Sequence, residues 1–336
     1  MSQTDLAMDK PGETGWLGSD GDRRLYDEGV EQTPSLFVRR PPKQVIDAGA
    51  LADVKSIQQK DGIEGGISLR HIENYVFGEQ LAWLAQIIGS CVGSSFMRGA
   101  AIRTLWESFV LGDPEEIWGT KLVGTNNVAP FAPYGYRAGR KIGGLNGGDG
   151  SFCSAQIRGA QQYGILPCSA RGLVSDAFPE PQNARTYRQM GNSDQFLGEF
   201  ANQAGQHRLL ETEKVNDIGA AQVLVTEHFK PLQICSMWAF RPDYNHPSWQ
   251  LEDGDPVVIY KRDRSTSWAH AMLISGFVQA ANQWFVIVMN SWGQRAHRNG
   301  DWFAIPADLF ASWLRDAECM SIGDIELTDN VLPGDD

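Results

Sequence analysis

The chain has 336 residues, of which 42% are hydrophobic and 21% are charged, a balance typical of a globular protein and unlike that of a disordered one. Lys and Arg number 29 against 41 Asp and Glu, which gives a net charge of −12. A surface this acidic repels phosphate, so we expect no nucleic-acid partner. The sequence has no run of about 18 apolar residues, so we expect no membrane span.

The composition changes along the chain. Residues 1–66 are rich in Gly, Pro, Asp and Gln, and we expect an extended N-terminal arm that wraps its own domain, binds its own cleft or binds a partner protein. Residues 67–327 are expected to form the body, with a helical lobe at about 80–205 and a β lobe at about 206–325. Residues 328–336 read as an acidic tail.

The N-terminus lacks the basic and apolar regions of a secretory signal. We therefore expect synthesis in the cytoplasm, with incorporation into a larger particle such as a virion as an open alternative. The five cysteines are odd in number, widely spaced and without a CxxC pair. This pattern favours reduced thiols over a disulfide framework or a structural zinc site, and no metal or other cofactor is expected.

In chain order, the first clearly predicted element is a helix at residues 91–111. It is apolar on nearly every side and is therefore expected to be buried. Only a narrow polar stripe that contains Arg103 and Glu107 is expected to face water. A second helix is predicted at 152–163, with Gly164 as its left-handed terminator. The second half predicts strands at 257–260, 270–278, 284–290 and 302–305. Helices followed by strands predict an α+β fold.

Cys91 begins the buried helix and follows Gly89 and Ser90. A thiol at a helix N-terminus lies at the positive end of the helix dipole, which favours the thiolate and can lower the thiol pKa well below ~8.5. The alternative is a buried and inert cysteine.

His270 begins one predicted strand and Asn290 ends the next. A turn centred on Ala280 would pair these two residues across an antiparallel hairpin, with both side chains on one face. An Asn amide beside an imidazole can hold its tautomer and orientation. The alternative is a structural histidine at a strand end. The other histidines lack metal-ligand spacing and are expected on the surface or in loops: His71, His207, His228, His246 and His297.

Four segments together resemble the papain-like cysteine peptidases. They are GSC at 89–91, GLNGGDGSFCSAQIRGAQQYGI at 144–165, HAM followed by SGF at 270–277, and NSWG at 290–293 followed by GDWFAI at 300–305. The resemblance covers about residues 80–322 and excludes the arm. It implies a two-lobed fold, with a helical lobe whose central helix begins at the nucleophile, an antiparallel β-barrel-like lobe, and a cleft between them.

By this resemblance, Cys91 would attack a peptide carbonyl and form a thioester, and His270 would be its imidazolium partner and then the acid. Asn290 would orient His270, and Trp292 would shield that hydrogen bond from water. The oxyanion would be held by the Cys91 main-chain N–H and by Gln86. The family places this glutamine six residues before the cysteine and Gln86 is five before, so Gln80 is a second, more remote candidate.

The same resemblance implies that a protein or peptide substrate binds along Gly147 and Gly148, with Trp268 and Ala269 shaping the specificity pocket. The remaining expected substrate-binding residues are Gly89, Ser90 and Trp292.

The chain also departs from the family pattern. The positions of the usual disulfide in the helical lobe correspond to Ile88 and Leu145, so we expect packing in its place, and no helical pro-segment is recognisable. Two alternatives to a peptidase are kept. One is a papain-fold structural or interaction component of a larger assembly with weak or no activity. The other is a cell-wall amidase with a Cys-His-polar site, against which the NSWG and NGG segments count.

Overall fold

A computed structural model describes residues 16–17, 46–78, 86, 88–111, 130–167, 184–293 and 296–325. Its helices are α1 (Ala48–Lys60), α2 (His71–Phe77), α3 (Cys91–Phe109), α4 (Ala132–Ile142), α5 (Cys153–Tyr163), α6 (Ala184–Gly191), α7 (Asp194–Glu199), α8 (Ala201–Ala204), α9 (Ile218–Thr226) and α10 (Ala307–Leu314). Its strands are β1 (Gly65–Ser68), β2 (Leu232–Pro242), β3 (Tyr260–Ala280), β4 (Gln283–Met289), β5 (Trp302–Pro306) and β6 (Glu318–Ser321). Helices combined with an antiparallel sheet confirm the expected α+β class.

The predicted central helix is confirmed as α3, which packs against β3 and lies in the main apolar core. The polar stripe expected on this helix is buried, and that detail of the prediction is wrong. Arg103 is 1% exposed because its guanidinium donates to Glu107 at 2.8 Å, to Asp324 at 2.5 Å and to the main-chain oxygen of His228 at 2.7 Å. The stripe therefore joins α3 to the β half instead of facing water.

The second predicted helix is confirmed as α5, and Gly164 follows it at a φ of +81°. A Cβ at this position would also collide with the main-chain oxygen of Ala204. Glycine is therefore required at this position both by the backbone conformation and by the close approach of α8.

The strands form one antiparallel sheet in the order β5-β4-β3-β2-β6, and β1 pairs with the end of β3. The sequence predicts a barrel-like lobe, whereas within the described residues β5 and β6 are edge strands and the sheet is not closed. A single bridge between Ile259 and Ala304 connects the start of β3 to β5. The long β3 strand is thus paired along most of its length, and the residues near its middle form the base of the site.

The β3–β4 hairpin differs from its prediction. Its two-residue turn is Ala281-Asn282, with φ of 48° and 60°, so Ala280 pairs with Gln283. A bulge between Ile274 and Gly276 shifts the register once more. The expected main-chain pairing of His270 with Asn290 is therefore wrong: β4 ends at Met289, and His270 pairs with Ser236 of β2.

The N-terminal part of the body begins earlier than expected. The expected arm reaches residue 66, whereas the structure has α1 from residue 48 and β1 from residue 65. Asp47 caps α1 by accepting from the main-chain nitrogens of Gly49 and Ala50, and Val54 is fully buried in the core. This part of the expected arm therefore wraps its own domain. The expected acidic tail at 328–336 and most of the arm lie outside the described residues.

The expectation of reduced thiols is wrong for one pair, because Cys153 and Cys235 form a disulfide with their Cα atoms 6.5 Å apart. The bond connects the first residue of α5 to β2 and closes a separation of 82 residues, which sequence spacing does not reveal. Cys91 and Cys319 are free, and Cys168 lies outside the described residues.

Packing takes the place of the family's usual bridge as expected, although the two positions lie in separate clusters. Ile88 packs with Tyr136 and Tyr187, and Leu145 packs against Phe152. In the described ranges, no helix is both long enough and apolar enough to cross a membrane.

Candidate active site

Cys91 is the first residue of α3 and is fully buried between this helix and β3. Its Sγ accepts a hydrogen bond from the main-chain nitrogen of Ala271 at 3.4 Å. Ala271 directly follows His270, so two residues 179 positions apart are brought to adjoining places by the packing of α3 on β3. A main-chain N–H aimed at sulfur and the N-terminus of a helix both favour negative charge there.

His270 is fully buried on β3, and its Nε2 lies 2.8 Å from Asn290 Oδ1. The predicted side-chain contact is thus confirmed, although the predicted strand register is wrong. Within the described residues no hydrogen-bond partner meets His270 Nδ1. Burial lowers the His270 pKa to about 4, and the hydrogen bond that His270 donates to Asn290 opposes this shift. The imidazole is therefore neutral near pH 7, with the Nδ1 lone pair available for a proton.

An aromatic layer covers this pair. Trp292 stacks on His270 with ring centroids 4.6 Å apart, in the position expected for a shield. Trp268 packs edge-on against Trp292 at 4.8 Å and against Phe240 at 6.2 Å, and it is 6% exposed. Trp268 thus supports Trp292 from the core side, and its expected role in a specificity pocket stays a prediction.

Gln86 lies beside the segment that follows Asn290. Its main-chain nitrogen donates to Ser291 O at 2.7 Å, its Oε1 accepts from Ser291 Oγ at 2.5 Å, and its Nε2 donates to Ile88 O at 3.1 Å. A primary amide nitrogen carries two hydrogens, so one stays available for a second acceptor. Gln80, the second candidate, lies outside the described residues.

The glycine loop forms the opposite wall. A Cβ placed on Gly147 or Gly148 would meet no atom of the described residues within 4 Å, and Gly148 has a φ of +69°, which only glycine adopts without strain. Buried Arg140 holds the loop by donating to Gly147 O at 2.9 Å and to Gly150 O at 2.5 Å. The loop therefore has open space above it and a rigid support below it.

The hydroxyl of Tyr136 connects this loop to the segment before the thiol. It accepts from the Gly150 nitrogen at 2.8 Å and lies 3.4 Å from Gly89 O, to which it can donate. Gly89 and the buried Ser90 are thus positioned at the start of α3 by a tyrosine of α4.

Residues 16–17 of the N-terminal segment connect the two walls of the site, which are β3 on one side and the glycine loop on the other. Trp16 donates its main-chain N–H to Ala269 O at 3.3 Å and bridges in parallel to Ser151, and Leu17 donates to Ser151 O at 3.1 Å. The Trp16 side chain is 4% exposed. Ala269, expected to shape a substrate pocket, is thus bonded through its main-chain oxygen to this segment.

Sequence reasoning missed four residues at this site: Tyr136, Arg140, Ser291 and His297. His297, expected on the surface or in a loop, lies in the connection between β4 and β5, yet it is 6% exposed and its Nε2 lies 2.9 Å from Asn290 Nδ2. Their spacing in the sequence does not connect these residues to the site. The main-chain oxygens of a glycine loop do, however, require hydrogen-bond donors such as Arg140. Across the described ranges, no group of three or more His, Cys, Asp or Glu side chains could hold a metal ion.

Neither a protein-family model nor a curated protein matches the sequence of this chain. Among solved structures, it is similar to xylellain, a cysteine protease from Xylella fastidiosa, with a TM-score of 0.52 and 16% identity over 94% of this chain and 97% of xylellain. It is also similar to procathepsin B S9 from Trypanosoma congolense (TM-score 0.48, 11% identity, 80% of each chain). Procathepsin L2 from Tenebrio molitor follows (TM-score 0.44, 15% identity, 72% of this chain and 63% of that one). The chain has a papain-like α+β fold.

Proposed function

We propose that this chain is a cysteine peptidase that hydrolyses peptide bonds through a thioester on Cys91. The observation that carries the proposal is the 3.4 Å contact between Cys91 Sγ and the nitrogen of Ala271, next to His270. A thiol at a helix N-terminus beside a buried imidazole with an open nitrogen is the pairing that activates a nucleophilic cysteine. The papain-like fold supports the same chemistry.

The proposed reaction has two halves. The Cys91 thiol gives its proton to His270 Nδ1, and the sulfur attacks the substrate carbonyl carbon. The carbon–nitrogen bond then breaks, and His270 returns the proton to the leaving amine. Water, deprotonated by His270, attacks the thioester and releases a carboxylic acid and the free thiol. Asn290 holds the imidazole by accepting from Nε2 throughout.

The negative oxygen of each tetrahedral intermediate needs hydrogen-bond donors. We assign this role to the main-chain N–H of Cys91 and to the second hydrogen of Gln86 Nε2. The bond from Gln86 Nε2 to Ile88 O at 3.1 Å supports the assignment, because a main-chain oxygen can only accept and this end of the amide therefore carries the hydrogens. Ser291 directly follows Asn290, so one turn positions both amides.

An extended substrate would bind along Gly147 and Gly148, because no described residue fills the space beside their Cα atoms and their main-chain groups can pair with a peptide. Ala269 would contribute on the opposite wall, and Trp268 would shape the pocket through its packing on Trp292.

We further propose that the N-terminal segment limits access to this site. Trp16 is bonded to Ala269 of one wall and bridges to Ser151, which follows the glycine loop of the other wall. A chain that occupies the hydrogen-bonding groups of both walls competes with a substrate for them. The binding of the arm to its own cleft therefore becomes the favoured alternative over a separate partner protein.

The proposal is tested by incubating a peptide library with the wild-type chain, Cys91→Ala and Cys319→Ala, and mapping new termini by mass spectrometry. Cys319 is the matched control, because it is also free and fully buried but lies on β6, where burial raises the pKa of its thiol. We expect cleavage by the wild type and by Cys319→Ala, and none by Cys91→Ala. Cleavage that persists in Cys91→Ala contradicts the proposal. No cleavage by any folded variant, together with an unreactive Cys91, favours the structural or interaction role.

A further inference from the structure

His297 is a buried residue with no role in the mechanism above. Its ring packs against Phe303 with centroids 4.7 Å apart and edge-on against Tyr260 at 5.3 Å, and Trp292 lies over it at 6.3 Å. Its Nε2 lies 2.9 Å from Asn290 Nδ2. Trp292 therefore covers two imidazoles, His270 and His297, with the amide of Asn290 between them.

The direction of each hydrogen bond in this chain follows from one main-chain group. The nitrogen of Ser291 donates to Asn290 Oδ1 at 2.7 Å, and a main-chain nitrogen can only donate, so this atom of the amide is the oxygen. The other amide atom is then an NH₂ group, which donates to His297 Nε2. His297 Nε2 is therefore an acceptor, and the ring proton of His297 is on Nδ1.

The same assignment extends to His270. Since Asn290 Oδ1 is an acceptor, His270 Nε2 must carry the proton that bonds to it at 2.8 Å. The lone pair of the neutral His270 ring is then on Nδ1, the nitrogen that the reaction with Cys91 requires. Rotation of the amide by 180° would put the proton of His270 on the wrong nitrogen.

We propose that His297 is a positioning residue that holds the Asn290 amide in the orientation that sets the tautomer of His270. The inference rests on the proposed function, because it assigns His297 to the same reaction. Two anchors hold the amide: the N–H of Ser291 on its oxygen and Nε2 of His297 on its nitrogen. Removing His297 leaves one anchor and an NH₂ group buried without an acceptor.

The surroundings keep His297 neutral, as an acceptor must be. Burial lowers the pKa of His297 to about 3, the nearby His270 also lowers it, and Asp301 raises it. Asp301 forms an ion pair with Arg98 of α3 at 2.7 Å. Burial raises the pKa of Tyr260, so the Tyr260 hydroxyl is also neutral. His297 is therefore neutral near pH 7 and can accept from Asn290 there.

The test uses the full chain with ¹⁵N-labelled histidine and compares the wild type, His297→Phe, His297→Gln and His246→Phe. Phe retains the ring packing and removes the acceptor, Gln restores an oxygen near the place of Nε2, and His246 is a partly exposed control that packs on Phe285. The readouts are the ¹⁵N shifts of the ring nitrogens and the rate at which iodoacetamide alkylates Cys91, from about pH 5 to 8.

We expect His297 to carry its proton on Nδ1 across this range. In His297→Phe, His270 should lose its single tautomer, and alkylation of Cys91 should slow roughly two- to tenfold, the equivalent of one net hydrogen bond. His297→Gln should recover most of the rate, and His246→Phe should match the wild type.

A proton on Nε2 of His297 in the wild type overturns the inference, and so does an unchanged His270 tautomer in His297→Phe. The wild-type measurement requires no variant to fold. The tautomer readout also requires no peptide cleavage, so a chain that cleaves nothing but shows the expected shifts refutes only the proposed function.

Discussion

Asn290 is the residue on which the proton positions at the site depend. Its oxygen accepts from His270 and Ser291, and its nitrogen donates to His297. His270, Asn290 and His297 are each at most 6% exposed, so a lost hydrogen-bond partner at this amide is costly. The consequence is that small changes at this one amide alter the reactivity of an imidazole without altering the fold.

We predict that Asn290→Ala lowers kcat by at least about tenfold, or ~1.4 kcal/mol of barrier, because His270 loses the group that fixes its proton. KM for a cleaved peptide should change little, because Asn290 lies behind the imidazole. The matched control is Asn245→Ala, an exposed asparagine elsewhere. Steady-state kinetics with circular dichroism checks the result, and unchanged turnover in a folded variant would remove the orienting role.

For the oxyanion we predict that Gln86→Ala lowers kcat about 10²–10³-fold, ~2.7–4 kcal/mol, the usual cost of one such donor. Ser291→Ala should cost less, since it frees the amide of Gln86 without removing it. The comparison variant is Gln80→Ala, which should be near wild type. A larger loss in Gln80→Ala than in Gln86→Ala would transfer the oxyanion role to Gln80.

Part of the site could be predicted from local sequence features. The rest could not, because it is formed by packing between distant segments. Cys91 lies at a helix start and Asn290 just beyond a strand end, and both positions leave marks in the sequence; His270 lies within β3 and not at the expected strand start. His297, Arg140 and the disulfide of Cys153 are placed by tertiary packing between distant segments, and no local pattern encodes their partners.

At the scale of elements, the β3–β4 hairpin shows why the contact of His270 with Asn290 was predicted correctly from an incorrect register. The strands meet through a two-residue turn instead of the expected longer one, and a bulge near Ser275 shifts the register again. Alanine at a positive φ is uncommon, so Ala281 gave no signal of a tight turn. Asn290 lies beyond the end of β4 and reaches His270 by its side chain alone.

This turn gives a stability prediction. Ala281→Gly should raise the free energy of unfolding by about 0.5–1 kcal/mol, because glycine relieves the strain at φ 48° by more than it adds to the entropy of the unfolded chain. Ala280→Gly is the control and should be destabilising, because Ala280 is fully buried in the strand. Urea unfolding measures both variants. A destabilised Ala281→Gly would contradict the assigned turn.

At the scale of the whole molecule, the two halves are joined on both sides of the site. The disulfide between Cys153 and Cys235 connects α5 to β2, and the ion pair of Arg103 with Asp324 connects α3 to the segment after β6. The sheet to which α3 is attached carries His270 on its longest strand. A rigid junction of this kind holds a thiol and an imidazole from different elements at a constant separation.

The N-terminal segment is expected to restrict access to Cys91. Trp16→Ala should accelerate labelling of Cys91 by a bulky epoxysuccinyl reagent more than labelling by small iodoacetamide, because the buried indole anchors the segment across both walls. Leu17→Ala is the control, since this side chain is 45% exposed. Equal labelling rates in Trp16→Ala and the wild type, for both reagents, would show that the segment does not limit access.

Activation of Cys91 by His270 can be measured as the rate at which iodoacetamide alkylates Cys91 near neutral pH. Mass spectrometry of the full chain, with Cys91→Ser and His270→Ala alongside, identifies which sulfur reacts and how fast. We expect one equivalent on Cys91, none in Cys91→Ser, and a rate about 10²–10⁴ times lower in folded His270→Ala. Alkylation of Cys91 that is no faster than that of a free thiol, or that is equally fast in His270→Ala, would contradict the activation of Cys91 by His270.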